Sequence, residues 1–326
     1  MSSFLSSFFS TARIEDIWPL IEQASLLYQS KPSQSQQLTS LLTQIKNHIN
    51  TFPQSLKEKR GQRLSTPLHE AVGGGCPQLV KLMLQYESAD LRLRDIHGWT
   101  PLHVCCSSAH SSTLDVLRIL LSQRSPPVRA CTDSGNTPLH YLARNTACLA
   151  SGSHDTLYAD LASSLVDQGA AVDAQNKQGV TPLHEAVSRN NRLGVIVLLR
   201  SSAKLDVSNH KGLTPLHWAV LAAHTKIARL LLVSGADPDA PSPEGSPRQI
   251  AQKSSRDELV QLFHSPKQKS PPLLRAAVSA ASSDSSKIIN LATKSSPNFV
   301  SQSCSSSPVA SCSSSPVASC SSSPVA

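Results

Sequence analysis

Five histidines in this chain share one sequence context, because each of them ends a copy of the tetrapeptide Thr-Pro-Leu-His. Imidazole is a common ligand for transition metals and a common general acid or base near neutral pH. A histidine that recurs in this way therefore raises two hypotheses, a metal centre and a catalytic site. The five residues are His69, His103, His140, His184 and His217.

The spacing of the copies argues against a shared metal. Their threonines are 34, 37, 44 and 33 residues apart, and a period of this size is typical of repeat architectures. Equivalent histidines then lie on neighbouring stacked helices, whose axes are about 8–10 Å apart. Zinc needs its nitrogen donors within about 2.1 Å of the metal. We therefore expect no metal site at these histidines.

A run of three glycines, Gly73–Gly75, is the other sequence with chemical potential, because glycine-rich loops can cradle phosphate. A P-loop also needs Lys followed by Ser or Thr, whereas Cys76 follows this run. The run falls where a turn between two helices is expected. The sequence also lacks the G-x-S-x-G pattern of hydrolases. We expect no catalytic residues, no enzyme activity and no cofactor.

Each Thr-Pro pair predicts the start of a helix, because Thr caps a free amide and Pro in the first turn loses no needed donor. In the fifth copy, apolar residues at helical spacing predict one helix over 214–220 and a second from Ile227 to Gly235. A glycine two residues before Thr suits a tight, hairpin-like turn between units. These glycines are Gly98, Gly135, Gly179 and Gly212.

Helix, short turn, helix and protruding turn, with the signature Thr-Pro-Leu-His-x-Ala, resemble the ankyrin repeat family. The segments Val233–Asp239 and Asp167–Asp173 resemble the ending of that family's unit. The resemblance implies an all-α fold, an ankyrin-repeat solenoid of about six repeats over residues 60–264. It also implies structural hydrogen bonds for the motif histidine. The repeats start near Thr66, Thr100, Thr137, Thr181, Thr214 and Ser246.

The first and last repeats depart from the pattern. Leu64 stands where the turn glycine is expected, and the sixth copy, Ser246–Ala251, has lost the Thr, Leu and His. Terminal repeats commonly diverge because they cap the stack toward solvent. In the first five repeats the motif leucines are expected in the core. They are Leu68, Leu102, Leu139, Leu183 and Leu216.

In the family that this chain resembles, the protruding turns and the ends of the first helices form a concave binding face. Binding energy concentrates in aromatic and arginine residues, so we rank Trp99 first, followed by Arg144, Arg189 and Lys177. Partial burial of Trp99 against the neighbouring turn is the alternative. The candidate partner-binding residues are Ile96, His97, Trp99, Asp133, Ser134, Asn136, Arg144, Asn145, Lys177, Gln178, Val180, Ser188, Arg189, His210, Lys211 and Leu213.

The third repeat carries about 11 extra residues, Thr146–Thr156, between its helices. Long surface insertions cost little in loop entropy. The insertion is therefore interpreted either as tolerated length or as an additional recognition arm.

Residues 14–59 place apolar side chains at helical spacing in two runs, separated by a break at Lys31–Ser33. We predict two amphipathic helices here, preceded by a flexible N-terminus over residues 1–13. These helices either pack on the first repeat and cover its apolar side or form a separate module that docks a partner.

Residues 265–326 are rich in Ser, Pro, Ala and Lys and predict a disordered tail. The tail ends in three identical copies of Ser-Cys-Ser-Ser-Ser-Pro-Val-Ala, over 303–326. It is interpreted as a spacer or as a phosphorylation array, because each phosphate would add about −1.5 to −2 charges. The candidate phosphorylation sites are Ser265, Ser307, Ser315 and Ser323.

Composition places the chain among intracellular proteins. The net charge is +8, and the longest basic cluster, Lys57–Arg63, is interrupted by Glu58, so we expect a solvated junction there and not direct nucleic-acid contact. The repeat cysteines lack C-x-x-C spacing and read as buried thiols in a reducing compartment. No apolar run is long enough for a membrane span. We expect a monomer in the cytoplasm, the nucleus or both.

The sequence thus predicts a non-enzymatic scaffold or adaptor whose concave face binds one or more proteins. Two alternatives remain. One is a nuclear transcription cofactor that holds a transcription factor. The other is the regulatory ankyrin portion of a family of multidomain enzymes. The sequence does not identify the partner or the pathway.

Overall fold

The structure is a computed structural model that describes residues 16–30, 35–110, 112–146, 155–254 and 257–264. Three predicted features lie outside these residues: the N-terminal segment 1–13, the middle of the third-repeat insertion at 147–154, and the tail from 265 with its four candidate phosphorylation sites. None of the described helices combines the length and apolar character needed to cross a membrane.

The described residues form a chain of short helices. In order these are α1 (Trp18–Ser30), α2 (Ser35–Thr51), α3 (Pro67–Gly73), α4 (Pro77–Met83), α5 (Pro101–Ser107), α6 (Thr113–Leu121), α7 (Pro138–Arg144), α8 (Asp155–Asp167), α9 (Pro182–Ser188), α10 (Arg192–Arg200), α11 (Pro215–Leu221), α12 (Thr225–Ser234), α13 (Pro247–Lys253) and α14 (Asp257–His264). A 3-10 helix, Pro53–Lys57, joins α2 to the first repeat.

The helices from α3 onward form two layers. The odd-numbered helices α3 to α13, which we call the inner helices, pack side by side in chain order. The even-numbered helices α4 to α14, the outer helices, form the second layer in the same order. The five motif leucines, at 0–2% exposure, are buried between them. Burial of each leucine contributes roughly 1.5–3 kcal/mol, and the stack gains most of its stability from contacts between neighbouring repeats.

Every inner helix begins in the same way. The Thr of the motif is the N-cap in extended conformation, Pro is the first helical residue, and a reciprocal capping box joins Thr to the histidine three residues later. Such a box satisfies two backbone donors that a helix start leaves free. In the sixth repeat Ser246 and Gln249 form the same box.

The motif histidine also joins each repeat to the next one. Its Nδ1 accepts a hydrogen bond from the backbone N–H of its own repeat's Thr at 3.1–3.3 Å. Because Nδ1 is an acceptor, the neutral ring carries its proton on Nε2. Nε2 then donates to a carbonyl of the following repeat at 3.0–3.2 Å, for example from His140 to Val180 and from His184 to Leu213. The structure thus shows the hydrogen-bonding role that the resemblance implies for the motif histidine.

The two N-terminal helices lie against the first repeat. Helix α1 packs on α3, and α2 packs on α4. Ile17, Ile21, Ile45 and Ile49 are at most 1% exposed and belong to the same hydrophobic core as the repeats. The helices therefore cover the apolar end of the first repeat, which has no preceding repeat to do so.

The last repeat ends the stack with polar substitutions. Arg248 stands where five repeats have leucine; its guanidinium donates to the Asp239 carboxylate at 2.7 and 3.0 Å and to the Phe263 carbonyl at 3.0 Å. Gln249 stands where they have histidine, and its Oε1 accepts from the Ser246 N–H at 3.1 Å. Gln249 thus keeps the cap of its own helix, while Arg248 joins the hairpin side of the last repeat to α14.

Burial makes the motif histidines sensitive to acid. Desolvation lowers the pKa of His103, His140 and His184 to about 4, although the bonds to backbone carbonyls partly oppose this shift. Desolvation likewise lowers the pKa of His69 and His217. At neutral pH these rings are uncharged, as the acceptor role of Nδ1 requires.

We expect the free energy of unfolding to be highest above about pH 6.5 and to fall as the pH is lowered toward 4. The folded-state pKa lies below the unfolded value of about 6.5, so the unfolded chain takes up protons first. Each of His103, His140 and His184 contributes up to about 1.4 kcal/mol per pH unit in this window. Urea unfolding followed by circular dichroism across this range measures the slope.

A substitution separates the motif histidines from other titrating groups. His140→Gln removes one buried ring while keeping a side chain that can cap, as Gln249 does, so the slope should fall by about one proton. The matched control, His210→Gln, makes the same substitution at an exposed hairpin histidine, so the difference between the two variants isolates the buried ring. A pH-independent stability would contradict this account.

Candidate functional site

Six tight turns, which we call the hairpins, connect the repeats and protrude from the stack. They span residues 61–64, 95–98, 132–135, 176–179, 209–212 and 242–245, and each is closed by a backbone bond from its last residue to its first at 2.8–3.1 Å. The side chain that opens the turn fixes its shape. Asp95 Oδ1 accepts from the N–H groups of His97 and Trp99 at 2.8 Å, which is an Asx turn. Asn176 and Asn209 act in the same way.

One backbone hydrogen bond joins each of the first four hairpins to the next. We call this series the hairpin ladder, and its bonds are 2.9–3.0 Å long. The bonds run from Ile96 N to Arg63 O, from Asp133 N to His97 O, from Lys177 N to Ser134 O and from His210 N to Gln178 O. Pro243 occupies the next donor position and has no N–H, so the ladder ends before the sixth hairpin.

The turn glycines are required for this ladder. Gly98, Gly135 and Gly179 have φ between +73° and +82°, a region that other residues enter only with strain. Space is also lacking, because a Cβ atom on Gly179 would lie 2.8 Å from the His210 backbone nitrogen. Glycine therefore allows each hairpin to approach the next closely enough for the ladder bond.

The hairpins and the exposed side of the inner helices form one continuous surface, the inner face. In the first five inner helices two positions reach it, the residue directly after the motif histidine and the residue three further on. Tyr141 and Trp218 occupy the first position in α7 and α11 and are half-buried. Arg144 and Leu221 occupy the second position and are exposed.

Two aromatic rings from adjacent repeats meet on this surface. The Trp99 ring centroid lies 4.5 Å from that of Tyr141, with the planes tilted by 47°. Beneath them, His103 packs edge-on against Tyr141 at 5.9 Å. Trp99 is thus half-buried against the next inner helix while part of its ring remains accessible. The structure thus shows the partial burial of Trp99, and its role in partner binding stays a prediction.

Basic side chains dominate the neighbouring part of the face. Arg144 and Arg189 are exposed, and both act electrostatically on Glu185. Burial raises the pKa of the half-buried Glu185, and the two guanidinium groups oppose that shift. Lys177 and Lys211 project from the adjacent hairpins and are exposed.

Thirteen of the sixteen candidate residues from the sequence reach the surface. Ten are exposed, namely Ile96, His97, Asp133, Ser134, Arg144, Lys177, Gln178, Arg189, His210 and Lys211. Three are half-buried, namely Trp99, Asn136 and Ser188. Their role in partner binding stays a prediction.

The other three candidates are buried, and we correct them. Asn145 is 9% exposed and its Nδ2 donates to the Cys106 carbonyl at 3.0 Å, so it satisfies a carbonyl at the end of α5. Val180 and Leu213 are 3% and 6% exposed. Each directly precedes a motif Thr, a position at which Trp99 and Asn136 are only half-buried. We therefore leave these three residues out of the candidate face.

Sequence reasoning missed Tyr141, Trp218 and Glu185 as surface residues of the inner face. Their common signal was available, because each directly follows a motif histidine. No cluster of three His, Cys, Asp or Glu residues that could bind a metal ion occurs in the part of the chain that the structure describes.

Comparisons with known proteins agree with this architecture. The family model of ankyrin repeats matches residues 34–126, 68–150 and 146–242. Among solved structures, the ankyrin repeat domain of Bcl-3, titled a unique member of the IkappaB protein family, superposes with a TM-score of 0.55 at 26% identity. The match covers 68% of this chain and 93% of that domain. The all-α repeat fold predicted from the sequence is confirmed.

Curated relatives are similar over shorter stretches. Human protein phosphatase 1 regulatory subunit 27 is 38% identical over 97 residues, which is 30% of this chain and 59% of that protein. The mouse B-cell lymphoma 3 protein homolog is 33% identical over 135 residues, covering 41% and 27%. A probable serine/threonine-protein kinase of Dictyostelium discoideum is 30% identical over 131 residues, covering 38% and 14%. The chain thus spans less than two thirds of each.

We expect Gly179→Ala to destabilise the stack more than Gly235→Ala. Both glycines have positive φ, +73° and +102°, so each alanine costs about 1–2 kcal/mol in backbone strain. Gly235 has open space around a Cβ atom, whereas Gly179 faces the next hairpin. The clash should add at least about 1 kcal/mol. Equal losses in urea unfolding would show that close hairpin approach contributes nothing.

Proposed function

Because the chain belongs to the ankyrin repeat family, we propose that it is a non-enzymatic scaffold or adaptor that binds a protein partner on its inner face. Ankyrin repeats are protein-interaction domains. One observation carries the proposal: a repeated frame of caps, imidazole bonds and ladder bonds supports a row of exposed side chains that differ from repeat to repeat. Such a rigid row recognises a partner with little loss of conformational entropy on binding.

The state of the cysteines supports an intracellular location. Cys76 is a buried free thiol, and Cys131 is an exposed free thiol. Free thiols persist in the reducing cytosol and nucleus, whereas secreted proteins tend to form disulfides. We propose a monomer that acts in the cytoplasm, the nucleus or both.

The second candidate is a nuclear transcription cofactor, favoured by the similarity to the Bcl-3 ankyrin domain. The third is a regulatory ankyrin portion related to a multidomain enzyme, favoured by the similarity to a probable protein kinase. Cell fractionation distinguishes the second from a cytoplasmic adaptor. Direct nucleic-acid binding belongs to none of the three.

We expect the combined substitution Trp99→Ala, Arg144→Ala and Arg189→Ala to weaken partner binding by at least about tenfold, because aromatic and arginine anchors dominate interfaces. Cross-linking with mass spectrometry in the native cell first identifies the partner. Isothermal titration calorimetry then compares the affinities of the purified proteins.

A second triple variant serves as the matched control. Phe52→Ala, Arg118→Ala and Arg229→Ala removes one exposed aromatic and two exposed arginines from the N-terminal extension and the outer helices. It should leave the affinity unchanged. If the inner-face variant kept full affinity while its thermal unfolding matched wild type, the inner face would not be the binding surface.

A further inference from the structure

The inner face has two parts of different chemistry. Around the second and third repeats it carries the Trp99–Tyr141 ring pair, and the exposed Ile96 lies on the hairpin that precedes Trp99. The neighbouring helix positions are small, as with Gly73 and Ser107. Small side chains at these positions leave the rings room to contact a large apolar side chain of a partner.

Around the third to fifth repeats the inner face carries an excess of positive charge. Four exposed cations lie on it: Arg144, Lys177, Arg189 and Lys211. Ion pairs within the described residues join Arg60 to Asp16 and Arg248 to Asp239, so none of these four cations has a carboxylate at ion-pair distance there.

Two carboxylates in this part of the inner face reduce this excess without cancelling it. Glu185 is half-buried, and burial raises its pKa, so its charge is costly to hold and is already shared between Arg144 and Arg189. Asp133 is exposed on a hairpin. The guanidinium groups therefore keep donors available for a carboxylate of another molecule. Arginine offers such a partner a planar, two-pronged donor set.

The spacing of the two parts fits an extended chain. Adjacent inner helices are about 8–10 Å apart, and an extended peptide advances about 3.3 Å per residue. One repeat therefore corresponds to about three residues of a peptide that crosses the inner helices. Tyr141 and Arg144 lie on α7, whereas Arg189 ends the adjacent helix α9.

We propose that the inner face binds an extended acidic segment of a partner protein. A large apolar side chain of that segment lies against Trp99 and Tyr141. Carboxylates that follow within about three to six residues pair with Arg144 and Arg189, and Lys177 and Lys211 add long-range attraction. This inference rests on the proposed function, and it adds the chemistry of the partner.

Selection of random twelve-residue peptides displayed on phage tests the proposal with the full-length chain as bait. We expect the enriched peptides to be net negative, with a large apolar residue three to six positions before an Asp or Glu. A synthetic fluorescein-labelled peptide from the enriched set then gives affinities by anisotropy. Its binding should weaken as salt is raised, because the pairs are solvent-exposed.

Charge reversal identifies the cations responsible. Arg144→Glu with Arg189→Glu should weaken peptide binding at least about tenfold, because it replaces attraction with repulsion. The control, Arg118→Glu with Arg229→Glu, makes the same change in net charge on the outer helices and should have little effect. Thermal unfolding of both variants verifies the fold.

The outcomes separate this inference from the proposed function. Loss of peptide binding in Trp99→Ala with Tyr141→Ala, but not on charge reversal, would overturn the acidic partner and leave the inner face as the binding surface. Failure of both variants to change binding would overturn both. Enriched peptides that are neutral or basic would also overturn the acidic partner, and so would the absence of any enrichment. A labelled oligothymidine that binds more tightly than any peptide, and whose binding depends on Arg144 and Arg189, would likewise overturn the acidic partner.

Discussion

The neutral imidazole of the motif histidine is the interaction on which the stack depends. It accepts from the N–H of its own repeat's Thr and donates to a carbonyl of the next repeat, so it joins local and inter-repeat structure through one ring. A protonated ring would have no acceptor nitrogen and would place a charge in a site that burial makes unfavourable. The recurring histidine, which first suggests a metal or catalytic site, is therefore a structural requirement of each repeat.

The sequence predicted the architecture well because every repeat needs the same solutions to the same problems. Helix starts, turn glycines and core leucines follow from capping, backbone conformation and burial, and five copies reinforce one another. The candidate site was less predictable. Val180 and Trp99 hold equivalent positions, yet one is 3% exposed and the other is half-buried. Which of them reaches the surface depends on the size of the side chain and on the packing of the neighbouring repeat. A periodic sequence pattern does not reveal that packing.

The first and last repeats of the stack are completed in different ways. At the N-terminal end, α1 and α2 supply apolar side chains that complete the core of the first repeat. In the sixth repeat, Arg248 replaces a core leucine and binds Asp239, so an ion pair takes the place of the apolar contact that the other repeats make at this position.

Pro243 interrupts the hairpin ladder near one end of the stack, because proline has no N–H to donate. Four hairpin junctions carry a ladder bond, and the fifth has none, so the junction between the fifth and sixth repeats lacks a backbone bond that the other four have. Thermal or mechanical unfolding would therefore separate the hairpins more readily at this junction than at those four.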